Sequence, residues 1–176
     1  MTRGTGPRLG DVRRERDARR DRDADGRPRN ARPRDAMGRP LPHGAAGGVE
    51  PIPDDLEITP EEGLARAQEL IDAGSPFRAH EILEAVWKAS PEPERELWRG
   101  LAQVAVGLTH AQRGNAKGAR ALLERGSQRV AAYEPGAPYG IDAGGVARAT
   151  GALAERVATG GLTGLTTADL AVRLRG

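Results

Sequence analysis

One short run carries the residue types from which acid–base or metal chemistry is built: Phe77-Arg78-Ala79-His80-Glu81-Ile82-Leu83-Glu84-Ala85-Val86-Trp87. It invites comparison with the His-Glu-x-x-His motif of zinc proteases. That motif uses two histidines one helical turn apart as ligands and the glutamate between them as base. Here Glu84 stands where the second histidine would be. His80 and Glu84, at i and i+4, can still share a divalent ion if another helix supplies a third ligand. Outside the N-terminal stretch that holds His43, the one other histidine is His110. A divalent-metal-dependent hydrolase on this plan uses His80, Glu84 and His110 as ligands and Glu81 as base.

A metal-free arrangement of the same residues is the favoured expectation. A buried carboxylate needs partners, because an unpaired buried charge is very costly. Arg99 or Gln103 from the following helix could satisfy Glu84, the guanidinium supplying the charge that a metal would otherwise bring. The candidate cluster is His80, Glu81, Glu84, Arg99, Gln103 and His110. In it His80 and Glu84 contact a ligand, Arg99 anchors an anionic group or orients a glutamate, and Gln103 supplies hydrogen bonds. The corresponding role is an interaction or small-ligand-binding module. Other chemistry has no foothold. There are no cysteines, which excludes disulfides, thiolate metal sites and cysteine nucleophiles. There is no P-loop, no Rossmann glycine pattern after a strand and no nucleophile elbow.

The elements that must hold these residues are helices. Thr59-Pro60-Glu61-Glu62 is a capping box with proline at the first helical position, and Leu64, Ala67, Leu70 and Ile71 follow at helical spacing up to Gly74. Ser75-Pro76 repeats the cap-then-proline pattern, and Ala79, Ile82, Leu83, Val86 and Trp87 form a broad apolar face. His80 and Glu84 lie on one edge of that face, with Glu81 farther toward solvent. A third helix over about 92–113 carries a core stripe of Leu97, Leu101, Val104, Leu108 and Ala111. Gly100 and Gly107, on one edge of it, suit close approach of a neighbour. Trp98 lies off the stripe, placed to meet the C-terminal segment or an oligomer partner.

Asn115 caps a fourth helix that Gly126 is expected to end, with continuation toward Val130 and Ala132 as the alternative. A glycine-rich helix over about 143–158 follows, then a short one capped by Thr167 with Leu170, Val172 and Leu174 inward. No strand-like alternation persists in the body. The fold expected is all-α: a small antiparallel bundle with a disordered arginine-rich N-terminal tail. The divisions are a tail over 1–50, a bundle core over 55–135 and a glycine-rich helical extension over 136–176.

His80-Glu81-x-x-Glu84-x-x-Trp87, then Trp98-x-Gly100-Leu101-x-Gln103-x-Ala105, then His110 and Arg113-Gly114-Asn115-x-x-Gly118-Ala119-x-x-Leu122-Leu123 occur in that order. This pattern resembles a bacterial family catalogued only as a domain of unknown function, number 309. The resemblance covers about residues 63–126 and implies a compact helical bundle with no established reaction.

The tail differs from the body in charge. Residues 1–50 hold 13 arginines and no lysine against 8 acids, a net of +5, while residues 51–176 carry a net of −3. With almost no large apolar side chains, residues 1–50 cannot offset a chain entropy of about 1–2 kcal/mol per residue. Contact with nucleic acid is conceivable through this arm alone. Its interleaved acids and lack of aromatic side chains speak against that. No run approaches 18 apolar residues, so no membrane span is expected. The N-terminus lacks a secretory apolar core, and a cytoplasmic location fits the absence of cysteine.

Overall fold

The computed structural model describes residues 33–42, 45–50, 52–53 and 56–176. In it α1 spans Pro60–Asp72, α2 Pro76–Ala89, α3 Glu92–Gln112, α4 Ala116–Ala131 and α5 Ala143–Gly160. Single 3-10 turns occur at Pro138–Gly140 and Ala168–Leu170. Each helix packs on the one that follows it, giving the antiparallel bundle that short connections impose. Among the described residues there are isolated bridges but no strand. No helix of these residues is long and apolar enough to cross a membrane. The expected disorder falls mostly on residues 1–32, which lie outside the described residues.

Local sequence sets the helix ends. The Thr59 hydroxyl accepts from the Glu62 N–H at 3.3 Å, and Glu62 Oε2 accepts from the Thr59 N–H at 3.1 Å, closing the capping box. At the other end of α1, Gly74 adopts φ +70°. Its N–H donates to the Ile71 carbonyl at 2.9 Å, and the Ser75 N–H reaches back to Leu70 at 2.7 Å, a Schellman closure. Ser75 is thereby committed to ending α1, and its side chain makes no cap bond to α2, contrary to the sequence expectation. The same closure ends α3: Gly114 donates to Ala111 at 3.1 Å and Asn115 to His110 at 2.9 Å. Here the side chain serves as well, because Asn115 Oδ1 accepts from Gly118 N–H at 2.9 Å and caps α4.

The core is built from the apolar stripes read above. Leu64, Ile82, Leu83, Leu97, Leu101, Val104, Leu108 and Leu123 are fully buried in one cluster. The C-terminal part joins that cluster through Val146, Leu153, Val157, Val172 and Leu174. As the spacing of Gly100 and Gly107 suggests, α4 lies against both. Gly126 answers from the other side: a Cβ there would sit 3.0 Å from the Gly100 carbonyl oxygen and 3.0 Å from the Val104 nitrogen. Gly126 thus lies inside α4 and does not end it.

The short terminal helix expected after Thr167, with Leu170, Val172 and Leu174, is not formed beyond the 3-10 turn at Ala168–Leu170. Val172 and Leu174 run without regular structure but are buried. The cause is a distant side chain. Gln68 Nε2 donates to the Val172 carbonyl at 3.2 Å, and the Leu174 N–H donates to Gln68 Oε1 at 2.6 Å. The Asp142 N–H adds a bond to the Leu174 carbonyl at 3.0 Å. Gln68→Ala leaves two partly buried backbone groups unpaired, so a loss of about 1–3 kcal/mol is expected. Trypsin should then cut after Arg173 faster than in the parent chain. An unchanged cleavage rate would show that Gln68 does not hold this segment.

Candidate functional site

α2 presents His80, Glu84 and Lys88 in one row along its surface, each a helical turn from the next. His80 Nδ1 lies 3.1 Å from the Phe77 carbonyl. A carbonyl only accepts, so Nδ1 carries the hydrogen and the neutral ring presents a lone pair at Nε2. That Nε2 faces Glu84 Oε2 at 3.4 Å, and Glu84 Oε1 pairs with Lys88 Nζ at 3.3 Å. The His80 side chain is 23% exposed. Burial holds its pKa below the ordinary 6.5, outweighing the Phe77 carbonyl and Glu84, which raise it. Lys88 and Arg113 lower it further.

These residues line a cleft of about 160 Å3 between α2 and the segment before α1. Phe77, His80, Glu81, Glu84 and Lys88 form one wall, and Arg34, Ile52 and Pro53 the other. Glu81, read from sequence as a solvent-side residue, belongs to the wall. Part of the stretch read as tail up to residue 50 is thus docked on the bundle. The turn at 34–39 is self-braced: Asp35 Oδ1 accepts from Met37 N–H at 3.0 Å and Arg39 N–H at 2.8 Å. Arg34 Nη1 donates to Gly38 O at 2.6 Å. Gly38 lies flush on the Phe77 ring, and two guanidiniums, those of Arg34 and Arg113, stand 5.4 and 5.5 Å from that ring's centre. The Phe77 and His80 rings are 5.5 Å apart.

The six candidate residues do not meet at one point. Arg99 does not reach Glu84. It pairs with Glu96 at 3.1 Å and lies 5.9 Å above the half-buried Trp87 ring. Gln103 accepts from Arg129 Nη1 at 3.3 Å, and Arg129 Nε holds Glu96 Oε2 at 2.8 Å. Glu96, Arg99 and Gln103 thus form a separate network along the seam of α3 and α4. The guanidinium expected beside Glu84 is replaced by the amine of Lys88, from the same helix.

His110 is taken by local architecture. Its Nδ1 lies 2.9 Å from Asn115 Nδ2, on the residue that closes α3 and caps α4. The antiparallel geometry does bring the end of α3 to the start of α2, but Arg113 reaches Phe77 there and His110 turns toward α4. Among the described residues no three His, Asp or Glu side chains stand where they could hold a metal ion. The His80–Glu84–His110 ligand set is therefore not assembled. The arm read as a nucleic-acid contact falls largely on residues outside those described.

A pH dependence follows from His80. Because folding lowers its pKa, the unfolded chain takes the proton first, and stability is lost as pH falls through about 6.5. His110 acts in the same direction, again chiefly through burial. His80→Gln is expected to flatten the fall in urea midpoint between about pH 7.5 and 5.5. An unaltered slope in the variant would contradict this.

Residues 64–122 match the model of a protein family described as a domain of unknown function (DUF309). Among curated proteins, the uncharacterized protein YpuF of Bacillus subtilis strain 168 is 46% identical over 48 residues. That stretch is 27% of this chain and 28% of the relative, so the chain spans just over a quarter of the relative's length. No solved structure matches.

Proposed function

We propose that the DUF309 domain carried by this chain at residues 64–122 is a docking module whose α2 face receives one polar side chain of a partner polypeptide. The observation that carries this is the pair of acceptors at the head of the cleft. His80 Nε2 and Glu84 Oε2, 3.4 Å apart, both seek hydrogens while the imidazole is neutral. A group with two N–H donors on one edge, a guanidinium or an amide, serves both at once.

Size supports a side chain over a free metabolite. The 160 Å3 cleft is well below the roughly 300–1,000 Å3 of sites for drug-sized ligands. A metal hydrolase finds no support in the geometry, since among the described residues no third ligand joins the two on α2.

Selection of peptides displayed at random, against the full chain, tests the proposal. Enriched peptides are expected to lose tenfold or more of their affinity for the His80→Ala/Glu84→Ala variant. Peptides that bind parent and variant alike would overturn it.

A further inference from the structure

The cleft is small because a neighbouring part of the same face is already filled. The turn at 34–39 places a guanidinium over Phe77, sets Gly38 against the ring and gives the Met37 carbonyl to Arg113, which donates to it from both Nε and Nη2. We infer that this turn is a built-in occupant of the docking face, and that the partner displacing it is a peptide carrying an arginine beside a tight turn. The inference rests on the docking role proposed for α2 and names the partner class and the regulation of that site.

Three observations converge on it. First, the receiving groups, Phe77 and Arg113, lie inside the family match at 64–122, whereas the turn comes from outside it. The surface belongs to the domain and the occupant is an addition to it. Second, the turn holds its own shape. Its bonds from Met37 and Arg39 to Asp35, and from Arg34 to Gly38, lie within the segment. They survive release, so the turn is a preorganised ligand.

Third, its hold on the bundle is shallow. Met37, its one large apolar side chain, is 39% exposed, and the helices by contrast are joined through fully buried leucines. A competitor therefore gives up little apolar burial at Met37 when it replaces the stacking on Phe77 and the Met37 carbonyl contact to Arg113.

Gly38 gives the means of release. Its φ is +73°, and a side chain there would run into the Phe77 ring. In the full-length Gly38→Val chain, trypsin is expected to cut after Arg34 several-fold faster than in the parent. A labelled synthetic peptide of residues 33–42, followed by fluorescence polarisation, should bind this variant and bind the parent at least tenfold more weakly. Binding should fall tenfold or more when the peptide carries Arg34→Ala, or when Arg113→Ala is added to the protein.

Unchanged cleavage after Arg34 would show that the seat on Phe77 does not hold the turn. A peptide that fails to bind the opened chain, or binds regardless of Arg34, would also overturn the inference. If displayed peptides still depend on His80 and Glu84 in that case, the docking role stands and only the built-in occupant is lost. If they do not, both fall.

Discussion

Trp98→Ala is expected to lower the stability of the bundle by about 3–5 kcal/mol, the range for removing a large buried aromatic. Trp98 is fully buried, the largest side chain of which that is true. It sits at the start of α3 with the Tyr139 ring 5.8 Å away, so it joins the helical hairpins to the connection before α5. Tyr139 is in turn held by Glu94, its hydroxyl donating to the carboxylate at 3.0 Å. Removing the indole opens a cavity and unseats that connection. Trp87 offers the contrast: it is half-buried, with Arg99 stacked on its outer face. Trp87→Ala is expected to have about half the effect, in proportion to the area it buries. Urea midpoints of the two variants check this, and equal losses would contradict the placement.

Gly126→Val is the second large effect. Its Cβ would press on backbone atoms of α3, the Gly100 carbonyl oxygen and the Val104 nitrogen, at 3.0 Å. Backbone cannot rotate away as a side chain can, so the two helices must separate. Overpacking of this kind costs about 1–3 kcal/mol, and a chain of this length loses roughly 2–4 °C in Tm for each. Gly151 supplies the control. It also lies inside a helix, but a Cβ there meets only the Ser127 hydroxyl oxygen at 3.4 Å, an ordinary contact. Gly151→Ala is expected to raise Tm through a helix-propensity gain of up to about 1 kcal/mol. Opposite signs in calorimetry are the expected result. A neutral Gly126→Val would mean that α3 and α4 are not so close.

These two glycines show what was legible in the sequence. Helix starts and stops rest on neighbours in the chain, so the Thr59–Glu62 box, the stop at Gly74 and the Asn115 cap are readable from a few residues. Gly100 and Gly107 reveal a close neighbour by spacing alone. Gly126 is ambiguous from sequence, because a glycine that ends a helix and one that admits another helix look alike until α3 is placed. Ser75 deceives for a similar reason: its backbone closes α1 before its side chain can begin α2. The stretch through Val172 and Leu174 follows the Thr167 cap, yet its large apolar residues alternate in steps of two, and Gln68, more than a hundred residues earlier, takes its backbone bonds.

The candidate site divides along the same line. His80 and Glu84 meet because they share a helix and lie one turn apart. Sequence places Arg99 or Gln103 beside Glu84 because both lie on the next helix. Their actual company depends on Arg129 of α4, which gathers Glu96 and Gln103 on another seam. His110 has the right chemistry and the right end of α3, but Asn115 engages its ring. The turn at 34–39 could not be read as a contact, since Arg34, Phe77 and Arg113 come together only in the folded chain.

Chemical-shift mapping decides most directly whether α2 carries the docking face. Blocked single amino acids, the N-acetyl amides of arginine, glutamine, lysine, glutamate and phenylalanine, would be titrated separately into isotope-labelled full-length chain. The expected result is that arginine and glutamine give the largest shifts, concentrated on residues 77–88 and on the His80 ring, while Arg99, Gln103 and His110 stay still. Shifts centred on that α3 row, or a stronger response to glutamate than to arginine, would contradict the docking role of the His80–Glu84 pair.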